Sequence, residues 1–387
     1  MRRGLFARIL FICGLIAALT ACVKQAASDA VRAAEPRVSI QAEPSAAPSA
    51  VTETPAPTLS TPEESTPAPM PAIAESAPAK ATAESIDYAL VRPYEVGQIM
   101  IIMYHGLVET EAEEETYQRS VENFKNDLQT FYDRGFRLIS MKDWLDNNIM
   151  TPAGRTPLIL TFDDGKASAF SLEDRDGALR PVKDCAVDIM TQFSEQHPDF
   201  GNTAMFFINK NPFKGDGSIA ERFKYLLDHG YELGNHTMNH TQMSKLDAAQ
   251  IQEEIGGIDK LIKENAPGYE PFAFSYPFGE RPLKDLRGYV QNGVWEGNIY
   301  HYEIAVREGQ SGPPSAVNRT GFDTTNVPRV RGSSNQETDM GWTLKQYETD
   351  PELRYVSDGI PDRIAVPKEY ADNVDESSLN GKELFLY

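Results

Sequence analysis

Two short stretches of the chain gather side chains able to hold a metal ion and to move protons. His236 and His240 stand four residues apart in His-Thr-Met-Asn-His, the spacing that sets two imidazoles on one face of a helical turn and lets both reach one ion. Asp163 and Asp164 are adjacent carboxylates placed after the apolar run Leu-Ile-Leu-Thr-Phe and before Gly165. Taken singly, each has a plain reading as well: Asp-Asp-Gly is a common turn with solvated acids, and a His pair is common polar decoration at a helix end. A third imidazole, His105, directly follows the apolar run that ends in Met-Tyr.

These residues need elements to position them. Runs over residues 99–104, 158–162, 203–208, 231–234 and 272–276 are short, apolar and bounded by turn signals, as buried strands are. Between them lie helical patterns: Phe124, Leu128 and Phe131 share one face, and Ile251, Ile255, Ile258 and Ile262 step by four, three and four. Such alternation predicts an α/β fold with a parallel sheet and helices outside, open or closed into a barrel. Tyr104-His105, Asp163-Asp164, Asn235-His236 and Pro277-Phe278-Gly279 each follow a predicted strand. That places them at the carboxyl ends, where parallel α/β folds carry their chemistry.

Thr161-Phe162-Asp163-Asp164-Gly165, followed by His236-x-x-x-His240 and then Phe274-Ser-Tyr-Pro-Phe-Gly279, resembles in order and spacing the motifs of the NodB-homology polysaccharide deacetylases, carbohydrate esterase family 4. The resemblance covers roughly residues 99–332. It implies a deformed (β/α) barrel of about seven strands and a divalent metal, usually zinc, held by Asp164, His236 and His240. It implies Asp163 as the general base and the backbone N–H of Phe278 as a donor to the oxyanion. Three protein ligands would leave an open position for water, and an unliganded carboxylate beside it suits proton abstraction. The implied reaction is removal of acetyl groups from N-acetylhexosamine residues of an envelope or extracellular polysaccharide. An O-acetyl esterase and a catalytically impaired carbohydrate-binding lipoprotein are the alternatives.

The chain departs from the pattern in two places. Ser275 stands where the family carries an Arg that braces the base, and Arg329 in Val-Pro-Arg-Val-Arg331 is the candidate replacement; a structural ion pair is the other reading of that residue. No late Leu-x-x-His element supplies the acid for the leaving amine. Met-Tyr-His105-Gly instead resembles the N-terminal Tyr-His element of the poly-N-acetylglucosamine deacetylase subgroup, which makes His105 the candidate acid. Tyr276 and Phe278 are expected to line the substrate site, since sugar faces pack on aromatic rings. Residues 309–326, rich in Gly, Pro and Ser, read as a loop over the barrel mouth.

Composition sets the outer limits. The net charge of -20, from 57 acidic and 37 basic residues among 387, opposes a nucleic-acid binder. Ten of the 26 prolines fall in residues 36–78, a stretch too poor in large apolar side chains to form a core. Ahead of it, Arg2, Arg3 and Arg8 precede an apolar run, then Leu19-Thr20-Ala21-Cys22, which resembles the lipobox of bacterial lipoproteins. The predicted organisation is therefore a signal peptide over 1–21, a linker over 22–84 carrying lipid on Cys22, a deacetylase domain over 85–335 and a C-terminal extension over 336–387 packed on the barrel. Such a protein is exported and anchored in the cell membrane or an outer membrane.

Overall fold

A computed structural model describes residues 86–309, 312–333 and 337–387. Cys22, the lipobox, and the expected signal peptide and linker lie outside the described residues. Among those described, seven parallel strands close into a barrel: β1 (Met100–Tyr104), β2 (Thr156–Phe162), β3 (Met205–Ile208), β4 (Glu232–Asn235), β5 (Ala273–Ser275), β6 (Ile304–Glu308) and β7 (Val327–Arg331). Each strand pairs with the next in sequence. β7 then returns to β1, with Ile102 opposite Val330. A short strand, Phe136–Leu138, pairs with the start of β2 on the edge that β3 takes at the end of β2. It wedges between β2 and β3 and deforms the ring.

Side-chain alternation decides what fills this barrel. On β2, Leu158, Leu160 and Phe162 point outward under the helices, whereas Ile159, Thr161 and the following Asp163 share the interior side. The lower interior is apolar, built from Ile99, Ile101, Ile159, Met205, Phe207, Ile304, Val306 and Val327. Above that layer the same parity brings Thr161, Asp163, Ser275 and Arg329 inward, all buried. These four polar groups thereby sit at the end where the strands finish.

Outside, α1 (Val121–Asp133), α2 (Ala186–Gln196), α3 (Ile219–Asp228) and α4 (Ala248–Asn265) cover the ring. The stripes predicted for α1 and α4 are its buried faces, with Phe124, Leu128, Phe131 and all four isoleucines fully buried; each such side chain contributes about 1.5–3 kcal/mol. Ser120 caps α1 by accepting from Asn123 N at 3.2 Å, typically worth ~1 kcal/mol.

The segment over residues 312–326 does not cover the mouth. Ile99 N donates to Pro314 O, Ala316 N donates to Gly97 O, and Ala316 is buried with Ile99 and Trp144. It runs along the barrel floor, because its apolar residues find their core there. On that floor too, the parallel pair Arg363–Val366 and Glu383–Leu386 packs on residues 94–98. Buried Glu95 ties the two segments: it accepts from Ala365 N (2.8 Å), Asp358 N (3.1 Å), Ser357 Oγ (3.1 Å) and Tyr355 Oη (3.2 Å).

Candidate active site

The interior polar layer opens into a cavity of about 550 Å3 at the carboxyl ends of the strands. His105, Asp163, Asp164, His236, His240, Tyr276, Phe278 and Arg329 all line it. Residues separated by more than 200 positions thus meet because the strands that precede them are neighbours in one ring.

Asp163 directly follows β2 on the inward side and is 2% exposed. Arg329, 1% exposed, reaches it from β7 as a fork, Nη1 to Oδ1 at 2.7 Å and Nη2 to Oδ2 at 2.6 Å. Arg329 also donates to Thr161 Oγ1 at 3.0 Å and to Ser275 Oγ at 2.8 Å, and Ser275 Oγ donates to Asp163 Oδ2 at 3.3 Å. Burial by itself would raise the Asp163 carboxyl, but the guanidinium and the nearby imidazoles hold it well below the usual carboxylate range. The group is a fixed, ionised carboxylate. Ser275 leaves the space that an Arg side chain on β5 would fill, and the cation arrives from β7 instead.

Asp164 and Gly165 both take the left-handed conformation, with φ of 70° and 60°. A side chain at Gly165 would also strike Pro212, 2.9 Å from its Cβ position. This turn separates the two carboxylates. Asp164 Oδ1 lies 3.6 Å from His236 Nε2 and 3.6 Å from His240 Nε2, while Asp163 Oδ2 is 3.7 Å from His236 Nε2. Lys166 Nζ occupies the other oxygen of Asp164 at 3.1 Å.

The two histidines do not lie on a helical turn. Residues 236–240 form an irregular loop in which Thr237 (φ 63°) and His240 (φ 53°) are left-handed, an uncommon conformation for a β-branched residue and one that stores strain. Side chains around the loop hold it there. Asn235 Oδ1 accepts from Thr237 N at 2.9 Å, and Asn209 Nδ2 donates to the carbonyls of His236 (2.6 Å) and Thr237 (2.8 Å). Glu254 on α4 accepts from Asn239 N and Nδ2, both at 2.8 Å, and from Thr241 Oγ1 at 3.0 Å.

Asp164, His236 and His240 offer ligand atoms that lie within 4.8 Å of one another. Tetrahedral bonds of about 2.0–2.2 Å place ligand atoms roughly 3.3–3.6 Å apart, close to the two 3.6 Å separations. His236 Nδ1 donates to Ser275 O at 2.9 Å, so the lone pair is on Nε2, a buried atom without a partner in the chain. Burial pushes His236 down to about 4, which keeps the ring neutral. Two neutral imidazoles and one carboxylate fit a divalent cation of the zinc type.

His105 stands at the end of β1 with Nδ1 buried and unpartnered and its ring 5.0 Å from that of Tyr117. Burial lowers its pKa, opposed by Asp163 and Asp164. Phe278, with φ of 57°, turns its ring out, 57% exposed and 4.4 Å from the ring of His240. Tyr276 is different. It borders the cavity, but its ring is packed 5.1 Å from Phe274 and its hydroxyl donates to Thr325 O. It lines the cavity as expected, but its buried ring offers no open face to a sugar, because strand alternation turns it outward. Sequence reasoning missed Thr161, the two roles of Ser275, Asn209 and Glu254, which hold these groups in place; of these, only the parity of Thr161 with Asp163 could have been read in advance.

Residues 151–294 match the family model described as polysaccharide deacetylase. Among curated proteins, the chain is 29% identical over 93 residues to the uncharacterized protein YlxY of Bacillus subtilis (strain 168), covering 24% of this chain and 28% of that protein. It is 20% identical over 213 residues to YxkH of the same strain, which is named as a candidate polysaccharide deacetylase, covering 54% and 67%. The solved deacetylase PplD of Streptococcus pyogenes, in complex with acetate, has a TM-score of 0.47 at 18% identity, covering 65% of this chain and 98% of that one. The matched segment carries Asp163, Asp164, His236, His240 and the Phe278 turn, whereas His105 and Arg329 enter from β1 and β7 outside it. From β2 to the turn after β5, the chain is similar to the polysaccharide deacetylases.

Proposed function

We propose that the chain is a divalent-metal-dependent hydrolase that removes acetyl groups from N-acetylhexosamine residues of a polysaccharide. The observation that carries this reading is the pairing of two differently held carboxylates: Asp164 faces both imidazoles, while its neighbour Asp163 is forked by Arg329 and stays outside the ligand group. A bound cation held by Asp164, His236 and His240 would supply acidification of water and polarisation of the acyl oxygen. Asp163 Oδ2 takes the proton from the attacking water, and Arg329 fixes the direction of that oxygen. The backbone N–H of Phe278 donates to the oxygen on which negative charge develops. His105 gives a proton to the departing amine nitrogen, which cannot leave as an anion. The fork on Asp163 weighs against an impaired binding protein, since that reading drew on the missing third-motif Arg. The lipobox around Cys22 supports, from sequence alone, export and lipid anchoring at the cell envelope.

The test is acetate release by the purified full chain from N-acetylglucosamine oligomers and from acetylated xylan, with and without chelator. Release from the oligomers that stops with chelator and returns with zinc is expected, and Asp163→Asn should abolish it. Release from xylan alone would transfer the assignment to an O-acetyl esterase.

A further inference from the structure

We propose that Tyr117 is a substrate-contacting residue on which a sugar ring packs beside the reacting group, and that Glu308 is the positioning residue that holds it there. This rests on the polysaccharide reading above and names a part of its substrate site.

Tyr117 lines the cavity and is 43% exposed. Its hydroxyl donates to the Glu308 carboxylate, 2.9 and 3.1 Å from the two oxygens. The bond spans 191 positions and joins the segment after β1 to the end of β6. A half-exposed aromatic fixed at its tip in a polar cavity presents a ready apolar face, the feature that packs against a pyranose. Among the described residues bordering the cavity, Tyr117 and Phe278 are the two large exposed hydrophobics.

The base of the segment is fixed by contacts that do not involve Glu308. Gly106–Val108 pairs in parallel with Gln118–Ser120. Arg119 forks onto Asp127 of α1 at 2.9 and 2.7 Å, and Asp127 also accepts from Tyr104 Oη at 2.9 Å. Glu114 accepts from Ser120 N at 2.6 Å and from Asn123 Nδ2 at 2.9 Å. With that stem rigid, the bond to Glu308 sets the ring's attitude over the cavity. Glu308 is itself constrained. Arg331 Nη1 lies 3.4 Å from its carboxylate, and its backbone carbonyl abuts Gly279, where φ is 67° and a Cβ would come within 3.1 Å. One residue therefore touches both the Tyr117 wall and the Phe278 turn, and so fixes the gap between the two exposed rings.

The experiment measures acetate release by the full chain from the N-acetylglucosamine tetramer. Tyr117→Ala should raise KM about tenfold with kcat nearly unchanged, the size of one lost ring contact. Tyr117→Phe and Glu308→Ala should each raise KM about threefold, and the double variant no further than Tyr117→Phe, because that change already takes the hydroxyl away from Glu308 and from Arg331 beside it. Glu308→Gln, whose amide oxygen still accepts the hydroxyl, should keep the wild-type KM. An unchanged KM in Tyr117→Ala, or additive losses in the double variant, overturns the proposal. If the wild-type chain releases no acetate, the functional reading fails first, and calorimetric binding of the tetramer to the Asp163→Asn chain becomes the readout. There, weaker binding on Tyr117→Ala upholds the contact, and equal or absent binding overturns it.

Discussion

Arg329 and Asp163 meet inside the barrel as two parallel hydrogen bonds between a side chain of β7 and one that directly follows β2, the two strands that flank β1. Both are almost completely buried. A forked guanidinium orients a carboxylate as well as neutralising it, and burial makes each member depend on the other.

Removing one member should therefore cost more than a surface pair would. Arg329→Ala is expected to destabilise the fold by about 3–5 kcal/mol by leaving Asp163 charged and unpaired. Asp163→Asn with Arg329→Met should recover part of that loss, as no buried carboxylate remains. Urea denaturation of the two variants checks the order. Equal stability of Arg329→Ala and the parent chain would show that the fork does not persist in solution.

Glu254 touches neither Asp163 nor the ligand triad, yet it holds the loop between the two histidines. Glu254→Gln should lower zinc affinity about 10–100-fold, the usual effect of disturbing groups behind metal ligands. Competition with a chromogenic chelator measures this without reference to turnover, and an unchanged affinity would mean that the strained loop needs no such support.

His105→Ala should separate substrates by leaving group. An amine must be protonated to depart, whereas a nitrophenolate leaves unaided, so acetate release from N-acetylglucosamine oligomers should fall about 10²–10⁴-fold and from nitrophenyl acetate hardly at all. Comparable losses on both would place His105 in some step before departure.

The floor of the barrel carries its own pH dependence. Burial, with Asp358 nearby, pushes Glu95 up to about 8, against roughly 4.3 in an unfolded chain. A raised carboxyl contributes stability that is fully present below the unfolded value and is lost as pH rises through the folded one. The melting temperature should thus fall between about pH 5 and pH 8, and Glu95→Gln should flatten that fall by about 4 °C or more. Asp163 titrates in the opposite sense and at much lower pH, whereas Asp358, raised to about 6, and Glu232, raised to about 7, add to the same fall, so the Gln variant isolates the share of Glu95. A Gln variant with the parent's slope would assign the effect elsewhere.

The parts of the fold that were legible in the sequence are those where one physical signal dominates. Five strands read as apolar runs because their lower halves fill the barrel or lie under helices, and the stripes on α1 and α4 read from period alone. β6 and β7 did not. Ile-Ala-Val-Arg-Glu and Val-Pro-Arg-Val-Arg mix charge into strands because their upper ends line the polar cavity, and a Pro usually argues against a strand interior. The candidate ligands Asp164, His236 and His240 are identifiable from motif spacing, but the shape of the loop that carries the two histidines is not. The interval between His236 and His240 suits a helical turn, and tertiary hydrogen bonds from Asn209 and Glu254, with a local one to Asn235, select the left-handed alternative. Tyr117 and Glu308 sit in no motif. Only the closure of the ring brings them together.

The floor has one more consequence. Tyr387 Oη donates to Pro93 O at 2.9 Å, and the rings of Tyr88 and Tyr387 stand 5.0 Å apart, so the segment ahead of β1 and residue 387 meet beneath the strands, away from the cavity. A handle attached at residues 383–387, a tag or a surface, would leave the mouth clear. A long polymer could then be threaded past the opening without meeting the handle.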